Sequence, residues 1–379
     1  MEQDLTTGSV FKRIVYFSLP YLLSYFLQTL YGMADLFITG QFYGVDTITA
    51  VSNGSQIMHM MTVIIVGLAM GTTVTIGHSV GAKCMEQAEK IIGNTITLFM
   101  GIACVMNIAL DYLFMGAFHM GAAGAALGTV CAQTFSVLVA LWVIRRRKTG
   151  ISLKKSDFKI ERAVIGQVLK IGIPVALQDG FIQVAFMIIT VIANSRGVSD
   201  AAAVGIVEKV ISALFIVPSS MLATVSALSA QNLGAGKEKR ATDTLRYATV
   251  ITTIYGMIVT VLIQFIAENV VGIFTSDTTV VTMGSAYIRS YIWDCIFAGI
   301  HFSFSGYFAA CGKSYIGFLH NIISITFVRV PGSYLASKYF TDTLYPMGLA
   351  APAGSLVSVA ICVTAFILLK RKSRVAQTA

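Results

Sequence analysis

Ten stretches of this chain stay apolar over the length of a bilayer crossing, and that repeated length decides what the chain can fold into. The hydrocarbon core of a bilayer takes about 20 residues of helix. Stretches at approximately 14–38, 49–76, 91–115, 121–144, 171–194, 201–229, 247–273, 284–309, 316–337 and 347–369 each supply it. The expectation is an all-α integral membrane protein with about 10 transmembrane helices. Only 12% of the 379 residues are charged, against about 25% in a soluble domain.

The few charges are placed asymmetrically. Lys12 and Arg13, Lys83 and Lys90, Arg145 to Lys148, Lys237 to Arg246, Lys313, and Lys370 to Arg374 fall in alternate loops, and the opposite loops hold little beyond Arg196 and Lys338. Cytoplasmic loops carry the Lys/Arg excess, so both termini are expected in the cytoplasm; an even number of crossings agrees. The formal charge of +9 is spread over short loops rather than one polar face, which excludes nucleic acid as a partner. Met1 to Arg13 is polar and leads into a full-length span, so no cleaved signal peptide is expected.

The chain repeats itself. Ser18-Leu19-Pro20 corresponds to Gly172-Ile173-Pro174, and Gly77-His78-Ser79-Val80-Gly81-Ala82-Lys83 to Ala230-Gln231-Asn232-Leu233-Gly234-Ala235-Gly236. Met120-Gly121 corresponds to Met347-Gly348. Two homologous lobes with a substrate site between them is a transporter architecture. The predicted organisation is an N-terminal lobe at 1–148, a cytoplasmic linker at 149–162 and a C-terminal lobe at 163–379. The spacing is unequal: Gly81 and Gly121 lie 40 positions apart, Gly234 and Gly348 lie 114 apart, a difference of 74. The first lobe therefore has four spans where the second has six, and its third span, 91–115, reads as two half-helices fused into one.

With these motifs on the page the chain resembles the multidrug and toxic compound extrusion (MATE) family, bacterial type, within the larger group that includes lipid-linked oligosaccharide flippases. The resemblance is carried by Met33-Ala34-Asp35-Leu36-Phe37-Ile38-Thr39-Gly40, Asn107-Ile108-Ala109-Leu110-Asp111-Tyr112-Leu113-Phe114 and Gly121-Ala122-Ala123-Gly124-Ala125-Ala126. To these add Ala230 to Lys237 and Gly306-Tyr307-Phe308-Ala309-Ala310-Cys311-Gly312-Lys313. It covers nearly the whole chain in family order. It implies a secondary antiporter of the bacterial inner membrane that exports organic cations or drugs in exchange for H+ or Na+ by alternating access. Members typically have twelve spans, six and six; this chain resembles one with four and six.

A charge in hydrocarbon is expensive, so each intramembrane polar group is a functional candidate. Asp35 lies about one turn inside the outer end of its span. Asn107 and Asp111 are four apart and share a helix face, and Thr129 lies at similar depth in the next span. Four oxygen-bearing groups there form a candidate pocket for a proton or a bare Na+, and the resemblance matches these positions to the family's N-lobe cation site. In the second lobe Gln178 and Asp179 follow Pro174, Asp294 lies beside Tyr291 and Trp293, Glu208 and Lys209 are adjacent, and Arg329 stands alone in the ninth span. Acidic groups near aromatic rings suit a lipophilic cation, which makes Asp179, Gln178, Asp294 and Tyr291 candidate substrate contacts. An interhelical ion network through Arg329 or Lys209 accounts for them equally well.

His59, His78, His119, His301 and His320 are scattered in no metal pattern, and the six cysteines read as buried thiols. Gly234-Ala235-Gly236-Lys237 is too short for a phosphate-binding loop, so ATP is not expected to drive the protein. It reads as a transporter rather than an enzyme, with no cofactor beyond the coupling ion; its partners are the exported compound and membrane lipid. Two other readings stay open: a flippase for lipid-linked or amphiphilic substrates, and a shortened, transport-inactive membrane protein. Substrate, choice of coupling ion and oligomeric state are not legible.

Overall fold

The computed structural model describes residues 5–42, 62, 65–111 and 154–378, with the backbone alone at 28–42, 100–111, 155 and 372–378. Among them every regular element is helical, as the all-α expectation requires. In the first part of the chain these are α1 (Val10–Phe42), α2 (Ile65–Gly81) and α3 (Met85–Asp111). The expected span at 121–144 lies outside the described residues, as does most of that at 49–76.

From residue 154 onward the helices are α4 (Arg162–Asn194), α5 (Val198–Leu214), α6 (Ile216–Gly234) and α7 (Glu238–Gly272). They continue as α8 (Thr278–Tyr291), α9 (Asp294–Ala310), α10 (Ser314–Ser324), α11 (Val330–Tyr339), α12 (Tyr345–Gly348) and α13 (Ala350–Thr378). Four segments are long and apolar enough to cross a membrane: Arg162–Asn194, Val198–Gly234, Glu238–Gly272 and Tyr345–Arg371, the second and fourth with a one-residue break at Phe215 and at Leu349. Two more of the expected crossings are interrupted. α8 gives way to α9 at Ile292–Trp293, and a π-helical turn, Ile325–Arg329, joins α10 to α11. α4 runs unbroken through Pro174.

The surface is inverted relative to a soluble protein. Along α7, Tyr247, Val250, Ile254, Ile258, Val261 and Phe265 face outward, Phe265 81% exposed. Leaving a large apolar side chain in water forfeits about 1.5–3 kcal/mol, so this stripe belongs against lipid tails. The opposite face of α7 buries Thr244, Ala248, Thr252, Gly256 and Thr260, and α6 buries Ser220, Thr224, Ser226 and Ser229. Lipid is as apolar as leucine, so helices in it associate through close packing of small residues and through hydrogen bonds. Some of the hydroxyls bond back to their own helix, as Thr252 does to the Ala248 carbonyl at 3.0 Å, and others reach a neighbour, as Thr260 does to the Ile292 carbonyl at 3.2 Å.

The described chain forms two compact units, one built on residues 83–167 and the other on 5–82 with 168–379. In the first, residues 154–161 are docked on α3. Asn94 on α3 donates to the Asp157 carbonyl at 3.1 Å and accepts from the Glu161 amide at 2.6 Å. Thr97 donates to the Phe158 carbonyl at 3.0 Å. A short 3-10 turn, Lys155–Phe158, presents these backbone groups.

In the second unit α1 packs on α6 and α7. Ile14 and Leu5 join a core with Met221, Val225, Leu228 and Phe308. The polar start of the chain is strapped down: Lys237 donates to the Thr6 carbonyl at 2.8 Å, and Arg240 to the carbonyls of Thr7 at 2.8 Å and Gly8 at 2.7 Å. α2 meets α4 and α6 at backbone contact. At Gly71 a Cβ would overlap the Val168 carbonyl, and further along it would do so at Gly81, against the Gln231 carbonyl. Reciprocally, a Cβ on Gly234 would overlap the His78 carbonyl. The two copies of the repeated motif thus dock on one another.

Candidate functional site

The break between α8 and α9 creates a helix start deep in an apolar span. Asp294 is the first residue of α9, where the positive end of the helix dipole favours a carboxylate. It is 1% exposed, and so is Tyr291, the last residue of α8. Arg329 closes the π turn and is 8% exposed. Its guanidinium donates to the Tyr291 hydroxyl and stands 5.0 Å from the Phe186 ring centroid and 5.4 Å from that of Tyr291. Asp294, Tyr287 and Glu208 all lie within range of its charge. Ser355 on α13 hydrogen-bonds Asp294, and Thr190 on α4 donates to Glu208 at 3.2 Å. Lys209, next to Glu208, is exposed, because adjacent helical residues point about 100° apart.

A second polar cluster adjoins this one. His320 Nε2 and the Ser305 hydroxyl share a hydrogen bond of 2.9 Å. The rings of His301 and His320 lie 5.3 Å apart, and His301 is within range of the Arg329 charge. Gln178 is 1% exposed. Its carbonyl approaches α10 where Gly317 has no side chain: a Cβ there would lie 2.7 Å from Gln178 Oε1 and 3.3 Å from Ser305 Oγ. The Gln178 Nε2 group has no hydrogen-bond partner among the described residues. Asp179, one residue on, is half-buried and faces Tyr25 of α1 closely enough for their charges to interact.

The structure therefore brings together Tyr291, Asp294, Glu208 and Arg329, and separately Gln178 with Ser305, His320 and His301. Sequence reasoning treated the two histidines as scattered. They lie nineteen positions apart on different helices, and no local pattern announces that α9 and α10 pack at that register. Of the expected cation site, Asp35 lies in α1 and Asn107 and Asp111 in α3, in stretches where the backbone alone is described. Thr129 lies outside the described residues. Among the described residues no group of three or more His, Cys, Asp or Glu side chains is placed to hold a metal ion.

Comparison with known proteins agrees with this architecture. The model of a family described as MatE matches residues 20–115 and 174–335. The chain is 21% identical to the probable multidrug resistance protein YoeA of Bacillus subtilis, over 94% of this chain and 93% of that one. It is 19% identical to the multidrug export protein MepA of Staphylococcus saprophyticus, over 81% and 83%. Among solved structures, an outward-facing conformation of a multidrug resistance MATE family transporter superposes with a TM-score of 0.85 at 17% identity, covering 100% of this chain and 99% of that one. A crystal structure of MATE in complex with MaL6 gives 0.84 at 17% identity, covering 99% of each. The chain is shorter than typical relatives.

Proposed function

The chain belongs to the MatE family, and from that premise we propose that it is a secondary antiporter exporting small organic cations or drugs across a bacterial inner membrane in exchange for H+ or Na+, by alternating access. The relatives' names, multidrug resistance and multidrug export proteins, support the substrate class. The observation that carries the preference for cations is the charge balance of the bundle interior. Among the described residues, Asp179, Glu208 and Asp294 lie in apolar helices of the second half against one inward arginine, Arg329, with Lys209 turned out. An acidic interior attracts a lipophilic cation and repels an anion. It is also what disfavours a flippase for anionic lipid-linked substrates.

In this reading the coupling ion neutralises Asp35 and Asp111, with Asn107 and Thr129 as neutral oxygen donors. Neutralisation removes the cost of burying bare carboxylates and biases the protein toward its inward-opening state. Asp179 and Gln178 contact the exported cation. Tyr291 and Asp294, the other two candidate contacts, are engaged with Arg329. The docking of the two repeated motifs, Gly81 on Gln231 and Gly234 on His78, supports alternating access: it is a closure made at backbone contact, at the end that the charge asymmetry assigns to the cytoplasm.

Exchange of one monovalent cation for one proton is electrically silent and is driven by about 1.4 kcal/mol per pH unit. A second inward charge adds about 2.3 kcal/mol per 100 mV. The deciding experiment uses purified protein in proteoliposomes, with a cationic dye and a neutral analogue of similar size, under imposed pH or Na+ gradients. Gradient-driven movement of the cation is expected. Movement under neither gradient would sink the antiport reading, and equal movement of the neutral analogue would sink the preference for cations.

A further inference from the structure

Arg329 is held in an unusual way for a buried arginine. A structural guanidinium in a dry interior is normally forked onto a carboxylate, because only short paired hydrogen bonds offset its desolvation. Here, among the described residues, it closes no ion pair with either nearby carboxylate. Asp294 Oδ1, Glu208 Oε1 and Arg329 Nε all lack hydrogen-bond partners. What holds the guanidinium is the face of Phe186 at 5.0 Å, the face of Tyr291 at 5.4 Å and the Tyr291 hydroxyl. Aromatic faces backed by carboxylates that do not clamp are how a binding site holds an organic cation that must also leave. Two carboxylates around one guanidinium also leave the cage with acceptors in excess of what its occupant uses.

The backbone supplies a way out. Arg329 is the last residue of the π turn, and Pro331 follows in the first turn of α11. A π turn holds one residue more than an α turn and is a frequent feature of functional sites. Relaxing it to α rotates residues on one side of it by about 100°, enough to swing Arg329 off the two rings.

We propose that the cage of Phe186, Tyr291, Asp294 and Glu208 is a recognition site for planar monocations of the guanidinium class, kept filled by the chain's own Arg329. Exogenous cations of that class enter only when this side chain is removed or withdrawn. The filled cage keeps two buried carboxylates from trapping a lipophilic cation on its way out, whichever compound the chain exports.

The test is made on purified protein in lipid nanodiscs with millimolar guanidinium or methylguanidinium, and with urea as the neutral planar isostere. Thermal unfolding and the fluorescence of Trp293, two residues from Tyr291, are followed. Arg329→Ala is expected to show a saturable rise in unfolding temperature and a saturable fluorescence change with guanidinium and not with urea. Wild type is expected to show neither, and adding Asp294→Asn to Arg329→Ala is expected to weaken binding at least tenfold. A lack of saturable response in Arg329→Ala overturns the proposal, as does an equal response to urea or an undiminished response in the double variant. If Arg329→Ala does not accumulate folded, it is expressed and purified in millimolar guanidinium. Recovery with guanidinium and not with urea supports the proposal, and no recovery overturns it.

Discussion

Replacing Gly234 by alanine isolates the contact between the two repeated motifs. The added Cβ would lie 2.8 Å from both the carbonyl carbon and the Cα of His78, and closer still to the carbonyl oxygen. These are backbone atoms of α2 and cannot rotate away, so the helices must part. Overpacking of this kind costs about 1–3 kcal/mol. If the motifs separate in every transport cycle, that cost falls on the closed state alone and raises the open population by about 5- to 150-fold.

A native thiol reports the opening. Cys311 is half-buried and follows Ala310, whose carbonyl accepts a hydrogen bond of 2.7 Å from His78 Nε2. Parting α2 from α6 is expected to break that bond and loosen the end of α9 that carries Cys311. Its alkylation rate, resolved by peptide mass spectrometry in inside-out membranes, is expected to rise with the open population, because reclosure outpaces the chemistry. Cys84, already exposed, serves as the reference. Gly236→Ala is the control: its φ of +71° makes alanine costly, about 1–2 kcal/mol, yet nothing lies within 4 Å of its added Cβ. That variant should lose stability without uncovering Cys311. An unchanged Cys311 rate in Gly234→Ala, or an equal rise in Gly236→Ala, would refute the reasoning.

Asp35→Asn is expected to abolish gradient-driven efflux while the protein remains in the membrane, with Asp111→Asn similar or milder; wild-type efflux by Asp35→Asn across pH and sodium concentrations would remove the coupling role. Asp179→Asn should weaken export of cations more than of neutral compounds, by tenfold or more given the roughly 2–5 kcal/mol attached to a desolvated charge contact. Asp294→Asn should lower thermal stability and shift the balance between the two classes less than Asp179→Asn does, and a selectivity profile measured for both variants separates these outcomes. Asn94→Ala leaves the buried Asp157 carbonyl and the Glu161 amide without their partner, at about 1–3 kcal/mol for each group left unpaired. Limited proteolysis should then cut the 154–161 stretch faster, and an unchanged rate would mean that the docking contributes nothing. Ser156→Cys should be labelled by an impermeant reagent only from the cytoplasmic side and Ser276→Cys only from outside; the reverse pattern inverts the assigned topology.

The membrane class, the all-helical fold and the family could be read from the sequence alone. They rest on one-body quantities: a length of apolar residues against a fixed bilayer thickness, and a charge count in each loop. The cost of a buried charge likewise marked Asp179, Glu208, Asp294 and Arg329 before any partner was known. Which groups meet is a pairwise property, and only the tertiary structure decided it. Glu208 and Lys209 are neighbours in sequence, yet one faces Arg329 and the other leaves the bundle. His301 and His320 come together because α9 and α10 pack at one register, which Gly317 permits by having no side chain to hold Gln178 and Ser305 away. The helix break at Ile292–Trp293 carries no strong local signal, since it contains neither glycine nor proline, whereas the π turn at Ile325–Arg329 lies just before Pro331, which cannot donate to a carbonyl within it. Where Asp294 and Arg329 point at these two breaks is set by the tertiary packing around them.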